Sequence, residues 1–156
     1  MKKKFGTVVV GGTFDEFHKG HRVLLMKAFE VGNNVIIGLC SDDFVKKLGK
    51  PHRVASYNKR LEELTFFLRN NGFLAKVDIN KLDDPYGVTL SKDRIEAIVV
   101  SKETAYRAQE INEKRLTKGL TPLHVVVINM VPAEDRTPIS TTRIQRKEID
   151  HEGRLL

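Results

Sequence analysis

A run of three valines that ends in two glycines places the strongest constraint on how this chain folds. Val8, Val9 and Val10 follow one another with no polar residue between them, as in a central parallel strand that is covered on both faces. Gly11 and Gly12 then allow a sharp turn and the close approach of a ligand to the main chain. The sequence therefore predicts a buried strand whose carboxyl end opens onto a binding site.

His18 and His21 lie three residues apart at the predicted start of the next helix. Apolar residues at helical spacing follow them, so this helix begins near Gly20. Side chains three apart share a helix face, and Gly20 keeps the space between the two rings open. Because a helix N-terminus carries unpaired N–H groups and a partial positive charge, two imidazoles placed there predict an anion-binding site.

Two other interpretations of this turn stay open from the residues alone. Glycines after a strand are often purely structural, and the spacing H-x-x-H also occurs in zinc sites. Any further nitrogen or sulfur ligands for zinc are scattered singly through the chain: Cys40, His52, His124 and His151. We therefore predict no metal site built by the protein.

Strands and helices alternate through the rest of the chain. Further strands are predicted over 34–40, 75–82, 95–101 and 123–130, and the strict alternation of 75–82 is typical of a sheet edge. Ser41 and Ser56 open helices, and Ser101 or Thr104 is expected to cap a third. This order predicts one α/β domain over 1–156, a Rossmann-like doubly wound parallel sheet of about five strands with helices on both faces. Ligands of such sheets bind outside the carboxyl ends of the strands.

The net charge of +7 is concentrated in the first half of the chain, where residues 1–78 hold 14 basic and 8 acidic side chains. Such a potential attracts polyphosphates and nucleic acid alike. The chain has no zinc-finger spacing and no aromatic-rich RNA-binding signature, so we predict a polyphosphate ligand. One cysteine excludes an internal disulfide framework and is typical of a reducing cytoplasm, and no apolar stretch is long enough to cross a bilayer.

Two more groups of residues are candidates for phosphate binding. Lys46 and Lys47 follow the second predicted strand and, with Arg53 and Arg60, form a possible phosphate clamp. Near the C-terminus, a short basic helix opens with the run I-S-T-T-R at 139–143. A simple helix cap uses one hydroxyl, so three in succession favour a second anion cradle.

Taken together, these segments resemble a known family. The run G-G-T-F-D-E-F-H-K-G-H at 11–21 and the run I-S-T-T-R-I at 139–144 are similar to the paired signatures of the nucleotidyltransferase superfamily. The segments L-D-D-P-Y-G at 82–87, E-A-I-V-V-S-K-E-T at 96–104 and E-I-N-E-K-R at 110–115 resemble the archaeal type of phosphopantetheine adenylyltransferase. The resemblance extends from Val8 to Glu148.

The resemblance implies transfer of AMP from ATP to 4′-phosphopantetheine, giving 3′-dephospho-coenzyme A and pyrophosphate in coenzyme A biosynthesis. The acceptor phosphate would attack the α-phosphorus of ATP in line, without a covalent intermediate. Mg²⁺ would arrive with ATP, carried mostly by phosphate oxygens and water. The implied enzyme is a cytoplasmic monomer or weak oligomer without a nucleic acid or membrane partner.

The resemblance also implies roles for particular residues. His18 and His21 would hold the ATP phosphates, with His21 stabilising the transition state, while Thr13 would bridge the two reacting phosphates. Lys46 or Lys47 would be the catalytic phosphate-binding lysine. The full set implied for ATP is Gly12, Thr13, Phe14, His18, Gly20, His21, Ser101, Thr104, Asn112, Ile139, Ser140, Thr141, Thr142 and Arg143, and the set for the acceptor is Thr13, Asp15, Lys46 and Lys47.

Other functions compatible with the same motifs remain. Nicotinamide mononucleotide adenylyltransferases share F-H-K-G-H, but a segment like G-R-F-Q-P precedes it there. Cytidylyltransferases and FAD synthetases keep T-F-D but are expected to lack the D-P-Y-G and S-K-E-T combination. A nucleotide sensor or a basic nucleic-acid-binding module would bind without turnover.

Overall fold

The computed structural model describes residues 3–91 and 94–156, and its centre is a parallel sheet. The strands are β1 (Phe5–Gly12), β2 (Gly32–Cys40), β3 (Val77–Leu82), β4 (Ala97–Ser101) and β5 (His124–Ile128). Their order is β3-β2-β1-β4-β5, and each neighbouring pair is parallel. The predicted doubly wound sheet is confirmed, with β3 at an edge. The order reverses between β1 and β4, where such sheets bind their ligands.

Within the described ranges, five α-helices flank or adjoin the sheet: α1 (Lys19–Val31), α2 (Asp42–Leu48), α3 (Tyr57–Asn70), α4 (Ala105–Thr117) and α5 (Thr141–Gln145). Short 3-10 segments cover Leu74–Lys76, Gly87–Leu90 and Lys102–Thr104. Ser41 and Ser56 cap α2 and α3, accepting from the backbone N–H of Phe44 and Lys59. Thr104 occupies the N-cap position of α4, as expected, but makes no side-chain cap hydrogen bond; its hydroxyl oxygen lies 3.2 Å from that of Ser101.

Strand β1 is covered on both faces, as three consecutive valines predict. Val8 and Val10 belong to a core that includes Leu25 of α1 and Leu64 of α3. Val9 faces the opposite way and packs in a second core against Ile111 of α4. Because the two apolar layers share this strand, its carboxyl end is held firmly from both sides. No helix in the described part of the chain is both long and apolar enough to span a membrane.

A third, smaller apolar cluster lies within the C-terminal region. Ala133, Ile139, Ile144 and Ile149 are all buried there. The backbone N–H of Lys19, at the start of α1, donates to the carbonyl oxygen of His151 at 2.9 Å. The C-terminal region thus places α5 beside the start of α1, and two segments far apart in the sequence meet.

Candidate active site

A cavity of about 810 Å³ lies across the carboxyl ends of the strands, within the size range of small-molecule sites. Its wall combines the β1–α1 loop, the ends of the other four strands and the start of α5. Most of the residues that the sequence nominated line it: Gly12, Thr13, Phe14, Asp15, His18, Gly20, His21, Ser101, Thr104, Ile139, Ser140, Thr141 and Thr142. The two motifs therefore face one shared space.

The two histidines stack on each other and cap α1 reciprocally. Their ring centroids lie 3.7 Å apart at an interplanar angle of 19°. The backbone N–H of Gly20 donates to Nδ1 of His18 at 3.0 Å, and the backbone N–H of His18 donates to Nδ1 of His21 at 3.2 Å. Both Nδ1 atoms are hydrogen-bond acceptors, so in each neutral ring the hydrogen is on Nε2.

Burial reinforces this protonation state. It lowers the pKa of His18 to about 4, with further lowering from His151 and Arg22. Burial also holds the pKa of His21 well below 6.5, with smaller effects from His18, Lys50 and Arg22. At neutral pH the pair is thus uncharged, and each ring presents one Nε2–H that a phosphate oxygen can accept.

Gly20 is required by the close approach of His18. A Cβ atom at position 20 would lie 2.8 Å from Cε1 and 3.0 Å from Nδ1 of that ring. Real Cβ atoms do not approach other atoms so closely, so any other residue would displace the ring from its cap. Gly20 thus makes room for the His18 ring, but the expected open space between the two rings is wrong, since the rings stack with centroids 3.7 Å apart.

The loop before the histidines adopts a costly backbone conformation. Phe14 and Glu16, neither of them glycine, have φ values of 53° and 49°, and such backbone strain concentrates at functional sites. Between them, the Asp15 side chain is 3% exposed and accepts a 3.1 Å hydrogen bond from the backbone N–H of Ala55. Its second oxygen, Oδ2, has no hydrogen-bond partner among the described residues.

Each hydroxyl of the I-S-T-T-R run has its own contact. Ser140 caps α5 by accepting from the backbone N–H of Arg143 at 3.2 Å. Thr141 donates from Oγ1 to the carbonyl oxygen of Asp15 at 3.0 Å, and Thr142 Oγ1 lies 2.8 Å from Nδ1 of His52. The second motif is therefore hydrogen-bonded directly to the first.

Two lysines line the cavity, Lys50 and Lys81, and Nζ of Lys81 lies 4.6 Å from the centroid of the Tyr57 ring. Lys46 and Lys47 are exposed on α2 and do not line it. Helix α2 ends at Gly49, which has a left-handed φ of 60°, and the turn carries the following residues back to the strand ends. The structure thus places Lys46 and Lys47 on the exposed face of α2, outside the cavity wall.

Arg143 and Asn112 also lie outside the cavity wall, in contrast to the expectation that they contact ATP. The guanidinium of Arg143 is occupied by Asp135, Glu148 and the carbonyl oxygens of 137 and 138. Asn112 exchanges two hydrogen bonds with the backbone of Leu123, at 3.0 and 2.7 Å. The hydrogen-bonding groups of both side chains are thus used to hold neighbouring segments in place.

The β2–β3 side of the cavity is largely apolar, and Phe44, Leu48, Leu82, Tyr86 and Val88 line it. The hydroxyl of Tyr86 donates to Glu110 of α4, and this bond raises the pKa of Tyr86. Tyr86 is thereby fixed at the cavity edge as a flat apolar surface with its polar end satisfied.

Sequence reasoning missed several residues of the wall. Lys50, His52, Asn80, Arg107 and Asn129 all line the cavity. The run K-P-H-R at 50–53, basic and directly after a helix-ending glycine, was an available signal for the first two. Of the others, Asn80 lies within β3, Asn129 follows β5 and Arg107 lies on α4, and no local pattern marks them.

No group of three or more histidine, cysteine, aspartate or glutamate side chains in the described ranges is arranged to hold a metal ion. His18 and His21 use their Nδ1 atoms on the backbone, and His52 uses its own on Thr142. The donor set of the cavity is thus suited to anions.

Comparisons with known proteins agree with this geometry. The model of the cytidylyltransferase-like family matches residues 9–147. The phosphopantetheine adenylyltransferase of Methanothermobacter thermautotrophicus is 47% identical over 156 residues, covering 100% of this chain and 93% of the relative. That of Methanopyrus kandleri is 44% identical over 147 residues, covering 94% and 92%.

Solved structures support the same fold. A protein of unknown function from Archaeoglobus fulgidus superposes with a TM-score of 0.71 at 31% identity, covering 86% of this chain and 99% of that one. A bifunctional nicotinamide mononucleotide adenylyltransferase/ADP-ribose pyrophosphatase from Francisella tularensis, solved with AMP and a manganese ion, superposes at 0.54 with 20% identity, covering 79% and 36%. This second likeness concerns the fold alone.

Proposed function

We propose that this chain, which belongs to the phosphopantetheine adenylyltransferases of the cytidylyltransferase-like family, transfers AMP from ATP to 4′-phosphopantetheine. The products would be 3′-dephospho-coenzyme A and pyrophosphate, in the biosynthesis of coenzyme A. One observation carries the proposal: a neutral histidine pair at the start of α1 faces the hydroxyl cradle of α5 across one cavity. Such a pair of donor sets is suited to the phosphates of a nucleotide.

In the proposed reaction, an oxygen of the acceptor phosphate attacks the α-phosphorus of ATP. The bond from that phosphorus to the α,β-bridging oxygen breaks, and pyrophosphate leaves without a covalent intermediate. Nothing in this transfer demands a nucleophile from the protein, so catalysis depends on positioning and on neutralising charge.

The described donors fit those two tasks. The Nε2–H groups of His18 and His21 would bond to phosphate oxygens, and His21 would bond more strongly as charge develops on the leaving group. Lys50, rather than Lys46 or Lys47, would supply the cationic contact because it lines the cavity, where the other lysine, Lys81, lies over the ring of Tyr57. Thr13, at the end of β1, would bridge the two reacting phosphates.

The two sides of the cavity suggest where each substrate binds. Ser101, Thr104 and Asn129 on the β4–β5 side offer hydrogen-bonding groups for adenosine. The apolar wall formed by Leu48, Leu82 and the rest of the β2–β3 side fits the methyl and methylene groups of a pantetheine arm. The acceptor phosphate would then enter between these sides, beside Thr13 and Asp15.

Magnesium would supply charge neutralisation on the triphosphate, held mainly by phosphate oxygens and water. In the described part of the chain, the only buried side-chain oxygen without a partner is Oδ2 of Asp15. One such oxygen is too few for a metal site built by the protein. All groups invoked belong to one chain, so a monomer or weak oligomer would suffice. The buried Cys40 fits the reducing cytoplasm in which we place this activity.

Pyrophosphate release tests the proposal directly. The purified protein is given ATP, magnesium and one acceptor at a time: 4′-phosphopantetheine, nicotinamide mononucleotide, flavin mononucleotide or phosphocholine. We expect turnover with 4′-phosphopantetheine and background release with the others. Turnover only with nicotinamide mononucleotide would reassign the acceptor, and no release with any acceptor would favour a nucleotide-binding module without catalysis.

A further inference from the structure

His52 lies between the two phosphate-binding motifs and contacts both. Its Nδ1 atom lies 2.8 Å from Oγ1 of Thr142, and its Nε2 atom lies 4.0 Å from Oδ2 of Asp15. The His52 side chain is 11% exposed and lines the cavity. The ring is therefore placed to link a carboxylate of the first motif to a hydroxyl of the second.

The charged groups around His52 oppose one another. Asp15 and Glu16, from the β1–α1 loop, favour the protonated ring, whereas Lys50, from the same loop as His52, disfavours it. Burial is the largest influence, and together these effects lower the pKa of His52 below its usual value. Without a ligand, the ring is thus neutral at physiological pH.

The hydrogen of a neutral His52 is favoured on Nε2, which faces the carboxylate of Asp15. Nδ1 is then an acceptor, so the hydroxyl of Thr142 must donate to it. In this arrangement Thr142 offers only lone pairs to the cavity, which is the wrong polarity for a phosphate oxygen. A protonated ring reverses the bond, since Nδ1–H would donate to Oγ1 and release the hydroxyl hydrogen.

We propose that binding of the ATP triphosphate is coupled to uptake of one proton from solvent by His52, which turns the Thr142 hydroxyl into a phosphate donor. The inference rests on the proposed function of the cavity. The negative charges of the triphosphate offset Lys50 and stabilise the imidazolium. At the same time, Nε2–H faces Oδ2 of Asp15, the buried oxygen that has no partner in the described structure.

Calorimetry measures the proton directly. MgATP without acceptor is titrated into the protein at pH 7.5 in buffers of different protonation enthalpy, and the slope of the observed enthalpy gives the number of protons taken up. We expect the wild-type protein to take up close to one proton. No uptake by the wild-type protein, or equal uptake by His52→Asn, would overturn the proposal.

Two amide variants distinguish the effect of protonating His52 from the effect of its hydrogen bond to Thr142. The amide of His52→Asn occupies the place of Nδ1 and can donate to Thr142 without titrating, so we expect affinity near that of wild type and no proton uptake. The amide of His52→Gln occupies the place of Nε2, so we expect no proton uptake. We expect MgATP affinity to fall by about tenfold, the loss that follows removal of a hydrogen bond to a charged group. Equal affinity for both variants would contradict the proposed orientation of Thr142.

Thr142 provides the reciprocal test. Thr142→Val removes the hydroxyl, and we expect about a tenfold loss of MgATP affinity with no further loss in the His52→Gln, Thr142→Val double variant. Thr142→Ser, which keeps the hydroxyl, should restore both affinity and proton uptake. Additive losses would contradict the coupling. Pyrophosphate release by the wild-type protein is measured in parallel, so that failure of the proposed function is recognised separately.

Discussion

The Nη1 atom of Arg60 donates a hydrogen bond of 3.0 Å to the carbonyl oxygen of Thr13. The same nitrogen donates to the carbonyl oxygen of Cys40 at 2.8 Å, so one guanidinium joins the chain at the ends of β1 and β2. Its Nε atom donates to the carbonyl oxygen of Ala55 at 2.9 Å, and Nη2 pairs with Asp42. Arg60 is fully buried and thereby fixes the loops that carry Thr13, Lys50 and the start of α2.

Replacing Arg60 with methionine should therefore damage both stability and catalysis. Three carbonyl oxygens lose their donor, and we expect a loss of about 3 kcal/mol in the free energy of unfolding. Chemical denaturation measures this change. The exposed Arg69→Met on the same helix is the matched control and should stay within about 0.5 kcal/mol of wild type. An Arg60 variant as stable as this control would contradict the role given to the guanidinium.

Lys50 should carry the cationic contact to phosphate. In Lys50→Ala we expect the KM for ATP to rise by at least about tenfold, because a charge-assisted hydrogen bond is lost. Lys46→Ala and Lys47→Ala remove the same charge from the exposed face of α2 and should leave kcat and KM within about twofold. Steady-state pyrophosphate release compares all three variants. Loss of activity in Lys46→Ala or Lys47→Ala alone would restore the expectation drawn from the sequence.

Local patterns were sufficient to predict most of the fold. Helix starts at Ser41 and Ser56, the buried run Val8 to Val10 and the alternating edge strand each depend on a few neighbouring residues. The position of Lys50 depends instead on the length of α2 and on the left-handed turn at Gly49. A shift of a few residues along a helix end is invisible to hydrophobic periodicity, so the sequence nominated Lys46 and Lys47 rather than Lys50, which lines the cavity.

In the candidate site too, local spacing predicted some features, whereas others depend on tertiary contacts. His18, Gly20 and His21 interact through hydrogen bonds that span two or three residues. The spacing of the two histidines alone predicted that their side chains lie together. Arg143 belongs to an equally clear motif, yet its guanidinium is used by Asp135 and Glu148. Which way a side chain points depends on tertiary partners, and those partners follow no spacing in the sequence.

The buried histidine pair should make stability fall in mild acid. Because the folded-state pKa of His18 is lowered from 6.5 to about 4, the unfolded chain binds more protons between these values. Stability is therefore unaffected above pH 6.5 and falls as the pH decreases toward 4, by an amount on the order of 3 kcal/mol for His18. His21 contributes in the same direction.

The variant His18→Asn isolates this effect from the carboxylates, which also titrate in acid. Asparagine is a good N-cap and keeps an acceptor for the backbone N–H of Gly20. As the pH is lowered from 7 to 4, we expect the unfolding free energy of wild type to fall relative to that of the variant. A difference that does not depend on pH would show that His18 titrates normally.

Gly20→Ala should damage the site while the fold persists. The added Cβ would lie 2.8 Å from the His18 ring, so the ring must leave its cap and separate from His21. We expect kcat/KM to fall by about 10- to 100-fold, with an unfolding free energy near that of wild type because alanine favours the helix. Gly6→Ala, where the nearest atom is 3.5 Å away, is the control. Wild-type kcat/KM in Gly20→Ala would exclude a role for the stacked geometry.

The hydrogen on Nε2 of His21 should account for its catalytic effect. His21→Ala removes a donor aimed at developing charge, and we expect kcat to fall by about 10²- to 10³-fold. The amide nitrogen of His21→Gln can occupy the place of Nε2, whereas that of His21→Asn lies near Nδ1, so the glutamine variant should retain more activity than the asparagine variant. His124→Ala, which alters an exposed histidine outside the cavity wall, should keep wild-type kcat. Rates that rank asparagine above glutamine would mean that the Nδ1 contact with the backbone of His18, rather than Nε2–H, is what catalysis requires.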